Sequence, residues 1–181
     1  MLFERKEIQL KDGRTALFRS PEGEDALEML QYLRDCSSET EFVVRYPEEC
    51  PVAAEQEVAF LEGVNRSPDN VMIVCIVDGK IAGNCHLAFH GRMKTKHRGN
   101  VAIALRKKYW NLGIGQAMFR EMIAIAEKQG ISQLELAYIE GNERAKHLYE
   151  KMGFVQVAEH PDAFRLKDGT LRKEIFMMRK L

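Results

Sequence analysis

Leu105-Arg106-Lys107-Lys108-Tyr109-Trp110-Asn111-Leu112-Gly113-Ile114-Gly115-Gln116-Ala117-Met118 is the stretch whose reading decides the fold. The apolar run Val101 to Leu105 reads as a strand that ends abruptly at charged residues. A basic loop follows, then two glycines one residue apart. Ile114, Ala117, Met118, Met122 and Ile125 next recur at helical spacing up to Gly130, a C-terminal capping residue. A glycine turn therefore feeds a helix N-terminus, where several backbone N–H groups have no partner within the helix. Those donors, with the positive end of the helix dipole, suit a phosphate or diphosphate. A dinucleotide fingerprint would need its glycines directly after the strand and a third small residue where Met118 stands. A nucleoside-triphosphatase loop would need Gly-Lys-Ser/Thr, which is absent. The plain alternative is a helix whose glycines only permit the turn.

Outward from this stretch, alternating apolar runs and turn signals fill the 181 residues. Glu7 to Leu10 and Ala16 to Arg19 read as strands around Asp12-Gly13. Ser20 and Pro21 read as the N-cap and first residue of a helix ending near Asp35. Cys36 to Pro51 reads as a loop and Val52 to Val64 as a second helix. Val71 to Val77 and Ile81 to Phe89 form a hairpin around Asp78-Gly79. After the glycine helix come a strand from Gln133 to Tyr138, a short helix capped by Asn142 and ended by Gly153, and a strand from Phe154 to Ala158. A loop from His160 to Leu171 and a last strand from Glu174 to Arg179 close the chain. Strand, helix, strand implies a parallel crossover. The expectation is one α+β domain over residues 1–181. Its sheet is mixed, mostly antiparallel and seven-stranded, with helices on both faces.

Formal net charge is zero, so no bulk attraction to nucleic acid or membrane is implied. No apolar run is long enough to span a bilayer. The early charges in Met1 to Glu7 do not read as a secretory signal. Cys36, Cys50, Cys75 and Cys85 are scattered, without a Cys-x-x-Cys pair, and read as reduced thiols of a cytoplasmic protein. His86 and His90 share a strand face, but a metal site needs a third ligand that the pattern does not supply, so no metal is expected. The last strand alternates imperfectly, which leaves pairing with a second copy, a homodimer, open.

Two segments carry a family resemblance. Trp110-Asn111-Leu112-Gly113-Ile114-Gly115 resembles the Gln/Arg-x-x-Gly-x-Gly/Ala diphosphate loop of the GNAT superfamily of acyl-CoA-dependent N-acyltransferases. Asn142-Glu143-Arg144-Ala145-Lys146-His147-Leu148-Tyr149-Glu150-Lys151-Met152-Gly153-Phe154 resembles that family's Asn-x-x-Ala-x-x-Leu-Tyr-x-Lys-x-Gly-Phe helix. The specific motifs cover about Val101 to Phe154, and the element order fits nearly the whole chain. One position departs: Trp110 stands where the family has Gln or Arg, which removes one side-chain donor.

The resemblance implies a fold and a chemistry. Acetyl-CoA would be the co-substrate, with a small-molecule amine or a protein amino group as acceptor. Its diphosphate would sit on amides from Trp110, Asn111, Leu112, Gly113, Ile114, Gly115 and Gln116. Its pantetheine arm would lie along Ile103, Ala104 and Leu105, with the Ile103 amide as oxyanion donor, and Asn142 would touch the arm besides capping its helix. Lys107 and Lys108 are candidates near the 3′-phosphate, against a reading as solvated loop charge. Tyr149 would protonate the departing thiolate, since a phenol keeps its proton to about pH 10. At neutral pH only about one alkylamine in a thousand is unprotonated, so a base is useful. His97 and Glu140 are the two candidates. Substrate recognition would come from Cys36 to Asn70 and His160 to Leu171, where Glu39, Glu41, Glu48 and Glu49 could draw in a cation. The alternative function is a non-catalytic acyl-CoA-binding module on the same fold.

Overall fold

Two Asp-Gly turns organise the first half of the chain. The computed structural model describes residues 1–181. Gly13 takes φ +87° in a turn of three residues, Lys11 to Gly13, closed by the Leu10 amide on Arg14 O, and Asp78 and Gly79 take φ +50° and +72° in a turn of two residues between Val77 and Lys80. The chain divides into two compact units. The first comprises residues 1–88 and 102–118, and the second residues 89–101 and 119–181.

In the first unit β1 (Lys6–Gln9), β2 (Thr15–Arg19), β3 (Asn70–Val77) and β4 (Lys80–Phe89) pair antiparallel in sequence order, and the C-terminal half of β5 (Arg98–Leu105) follows. The Arg106 amide donates to Ala82 O at 3.0 Å, so β5 meets β4 here. Helices α1 (Ala26–Glu39) and α2 (Ala54–Arg66) cover this sheet. Met29, Tyr32, Leu61, Met72, Val74 and Ile81 form the core beneath them, each almost wholly buried. β4 and β5 come unusually close at Gly83. A Cβ there would overlap the Leu105 side chain and stand 2.7 Å from Ala104 O. Gly83→Ala is expected to lower stability by about 1–3 kcal/mol, the range for overpacking, because backbone has to move. Thermal melting checks this; an unchanged melting temperature would show that β5 yields freely.

In the second unit the order is β5, β6 (Gln133–Ile139), β8 (Leu171–Lys180), β7 (Val155–Arg165). β5 and β6 pair parallel at Arg98↔Gln133, Gly99↔Leu134 and Asn100↔Glu135, as strand-helix-strand requires. β6–β8 and β7–β8 are antiparallel. α3 (Ile114–Lys128) begins in the first unit and ends in the second at Gly130, which takes φ +71° as expected of a capping glycine. α4 (Glu143–Lys151) follows β6. Phe119, Tyr149 and Phe154 form the aromatic centre of this unit, with ring centroids 5.6 to 6.4 Å apart.

The strands number eight rather than seven, and each corresponds to one of the apolar runs read from the sequence. Several boundaries differ: β5 begins at Arg98 rather than Val101, and β8 at Leu171 rather than Glu174. Ser20 is not an N-cap: its Oγ accepts the Phe3 amide at 2.8 Å. A 3-10 turn, Gly23–Asp25, precedes α1, closed by a reciprocal Glu22–Asp25 capping box. α1 itself runs on to Glu39, taking in the first four residues read as loop. Finally, β7 continues through His160 to Arg165, because pairing with β8 overrides Pro161 and Asp162. Asp162 takes φ +52° within a register shift.

Candidate active site

The first unit builds the glycine turn that the sequence singled out. β5 ends at Leu105, a 3-10 turn spans Lys107–Tyr109, and Asn111 and Gly113 take φ +65° and +91° before α3 starts at Ile114. Asparagine and glycine are the residues that tolerate this left-handed region. A Cβ on Gly113 would meet only Lys11 carbons at 3.8 Å, so backbone conformation, not crowding, demands glycine there. The Lys11 amide donates to Leu112 O at 3.2 Å, so the β1–β2 turn holds this loop from outside. Gly115 is the second residue of α3, and Gln116 and Ala117 follow in its first turn, with the Ala117 amide closing on Gly113 O at 3.1 Å.

Trp110 donates its indole N–H to Leu105 O at 2.9 Å. Its ring thus fastens the loop to the strand end. Tyr32 Oη lies 2.9 Å from Ala104 O. Because the Arg106 amide points to β4, Ala104 shares that edge, and Ile103 and Leu105 present their amides to the opposite one.

The basic residues around the loop separate into two kinds. Arg106 is 4% exposed, its Nη1 2.7 Å from Glu28 Oε1 and 2.7 Å from Ile81 O. Asp35 Oδ2 lies 2.9 Å from Arg106 Nε but off the N–H direction, an ion contact rather than a hydrogen bond. In the second unit Arg98 holds Glu135 through two bonds of 2.6 and 2.5 Å. Neither arginine is available to a ligand phosphate. Lys107 and Lys108 are exposed; the Lys107 amide donates to Glu39 Oε2 at 2.6 Å, and Lys108 Nζ stands over the Tyr109 ring.

The second unit carries Asn142, Glu140, Tyr149 and His97. Asn142 Oδ1 accepts the Ala145 amide at 3.1 Å and so caps α4. Tyr149 is 7% exposed, in ring contact with Phe119, Tyr138 and Phe154. Its hydroxyl has no hydrogen-bond partner in the protein, and it is not sealed from solvent. Burial first, and the neighbouring Tyr138 second, push its pKa to about 12. Glu140 accepts the Lys173 amide at 3.4 Å beside the β6–β8 ladder. His97 is an exposed turn residue whose carbonyl accepts the Ser132 and Gln133 amides. His86 binds Asn70 through Nε2 at 3.0 Å, and burial lowers its pKa. No cluster of three or more His, Cys, Asp and Glu side chains is placed to hold a metal ion. No helix is long and apolar enough to cross a membrane.

Sequence reasoning named Glu39, Glu41, Glu48 and Glu49 of the 36–70 segment and passed over Glu57. Glu39 and Glu49 are taken by the Lys107 and Tyr46 amides. Glu57, by contrast, is 6% exposed on the inner stripe of α2 with Leu61 and Val64. Its spacing from those two residues, four and seven, was the signal that could have found it.

The sheet is mixed, and a left-handed turn opens α3 at the end of β5. The chain belongs to the acetyltransferase (GNAT) family, whose model matches residues 26–154. The acetyltransferase of GNAT family from Streptococcus pneumoniae has a similar structure, with TM-score 0.85 and 29% identity over 92% of this chain and 99% of that one. The Salmonella typhimurium putative acetyltransferase yncA, solved with acetyl-CoA, shares the fold at TM-score 0.77 and 15% identity, over 91% of this chain and 92% of that one. In sequence, the chain is 24% identical over 113 residues to the L-amino acid N-acetyltransferase AaaT of Escherichia coli K12, covering 62% of this chain and 69% of that protein.

Proposed function

We propose that the protein transfers the acetyl group of acetyl-CoA to a primary amine of a small molecule or protein, by direct attack of the amine in a ternary complex. The observation that carries this reading is the turn at Asn111 and Gly113, whose left-handed residues deliver the chain into the N-terminus of α3, where the first amides have no partner within the helix itself. The residues present fit a diphosphate: a glycine that only its backbone conformation requires, a helix N-terminus, and no acidic side chain between Arg92 and Gln116. Charge-assisted bonds from such amides contribute about 1.5–3 kcal/mol each, against about 0.3–1 kcal/mol from the dipole, so backbone shape outweighs side-chain identity and Trp110 does not disqualify the loop.

When bound, acetyl-CoA supplies the acetyl group activated as a thioester. The chain's own residues do the rest. Amides from Trp110 to Gln116 hold the diphosphate, and the edge formed by Ile103, Ala104 and Leu105 aligns the pantetheine arm. The Ile103 amide stabilises the oxyanion, a role typically worth about 3 kcal/mol of barrier. Tyr149 offers its proton to the departing sulfur. His97 and, through water, Glu140 are the two candidate bases. The name of the Escherichia coli relative makes amino acids the first acceptors to try. The experiment is thiol release from acetyl-CoA with amino acids, polyamines, aminoglycosides and peptide N-termini, beside calorimetric titration with coenzyme A. Binding without turnover of any amine would instead make the chain an acyl-CoA-binding module.

A further inference from the structure

We propose that Glu57 is the acceptor-binding carboxylate of this transferase, and that the group it receives is the ammonium of an aliphatic amine. This rests on the acetyltransferase reading above.

Glu57 occupies a position that the helix pattern reserves for an apolar residue. α2 turns Glu57, Leu61 and Val64 inward, and the last two join the core formed with Met29, Tyr32 and Met72. Burying a carboxylate there is unfavourable unless something answers its charge. Elsewhere in the first unit something does. Asp25 is held by Arg19, Glu28 by Arg106 and Lys80, Asp35 by Gln31 and Arg106, and Glu39 and Glu49 by backbone amides. Glu57 makes no side-chain hydrogen bond and no ion pair. Arg45 is the one cation whose field reaches it, yet that side chain stays exposed and unpaired. The protein has a cation nearby and does not use it to close the gap.

Glu57 is not sealed in either. The one buried side-chain oxygen without a partner in the chain is Asn65 Oδ1, so the Glu57 carboxylate is not wholly closed off from solvent. Burial holds its pKa above the ordinary carboxylate range, in keeping with a charge that lacks a partner. Of the two substrates, one is a polyanion that a carboxylate repels, and the other is a cation at neutral pH. Only the second suits Glu57. The residue lies in the segment that continues from α1, whose Tyr32, Glu28, Asp35 and Glu39 fasten to Ala104, Arg106 and Lys107 at the end of β5. A site built on this segment is therefore tied to the strand that carries Ile103.

Glu57→Gln in the full chain tests this, using the best amine found in the panel and its quaternary trimethylammonium analogue, which is a cation but no nucleophile. The expected result is at least a tenfold rise in acceptor KM with acetyl-CoA KM within twofold. The analogue should compete with the acceptor on the native protein and lose at least tenfold in inhibition on the variant. The melting temperature should rise, since an unanswered buried charge is gone; a merely structural glutamate would lower it. An unchanged acceptor KM, or equal inhibition of both proteins by the analogue, overturns the proposal. Failure of the native protein to bind coenzyme A in the calorimeter would overturn the acetyltransferase reading and this inference with it, and the two failures are told apart by that titration.

Discussion

Tyr149→Phe is expected to lower kcat about 100-fold while acetyl-CoA KM stays within twofold. The ring contacts to Phe119, Tyr138 and Phe154 involve carbon faces that phenylalanine keeps. The hydroxyl has no protein partner, so its removal orphans nothing, and the melting temperature should hold. The loss therefore falls on the chemistry. A factor of 100 is about 2.7 kcal/mol. That is the size of one hydrogen bond to a developing charge. With its pKa pushed up to about 12, the phenol would keep its proton for the departing sulfur rather than lose it to water beforehand. The pH profile follows. Tyr149 remains protonated throughout the working range, so it contributes no alkaline limb below about pH 11. Any rise toward alkaline pH reports the amine or its base. Stopped-flow thiol release across pH 6–10 checks both points. If kcat were unmoved by the substitution, the hydroxyl would be a bystander and the departing thiolate would be protonated by solvent.

What could be read from the sequence, and what could not, divides by sequence distance. The turn at Asn111 and Gly113, the Asn142 cap and the Asp78-Gly79 hairpin depend on neighbouring residues, and their local chemistry specifies them. The extent of β7 does not: Pro161 and Asp162 signal a loop, and only pairing with β8 extends the strand to Arg165. Arg106 looked like one more charge in a basic loop, but its partners Glu28 and Asp35 stand more than seventy positions earlier, on α1. Glu57 was hidden differently. On a helix surrounded by Glu55 and Glu62 it resembles solvent-facing charge, and only its phase relative to Leu61 separates it. Glutamates on amphipathic helices are so commonly exposed that composition argues against noticing the exception.

Arg106→Met is expected to destabilise the protein by about 2–3 kcal/mol and to raise acetyl-CoA KM severalfold. Breaking a fully buried ion pair from one side costs about 3–5 kcal/mol. Here the partners soften the loss: Glu28 keeps Lys80 at 3.2 Å, Asp35 keeps Gln31 at 2.7 Å, and both carboxylates are partly exposed. Methionine fills much of the same volume over the Tyr32 ring, so the cavity is small. What it does not replace is the bond to Ile81 O, which ties the strand end to β4. Arg106 is also the first residue of the loop, and its carbonyl accepts the Tyr109 amide at 3.0 Å. Slack at Arg106 passes directly into Lys107–Leu112 and so into the amides that would hold the diphosphate. The shift in melting temperature should be roughly 5–10 °C for a chain of this size. The pH dependence of the difference has a definite sign. Burial raises the Glu28 pKa, but the bonds from Arg106 and Lys80 outweigh it and hold the group below the ordinary value. The stabilisation is thus present above the unfolded pKa and fades as pH falls through the lower, folded one. Melting curves of the native protein and Arg106→Met should therefore draw closer below about pH 4, leaving the part due to the bond to Ile81 O, which does not titrate. A gap as wide there as at neutral pH would mean the arginine acts through that bond and its packing on Tyr32 rather than through the charge on Glu28.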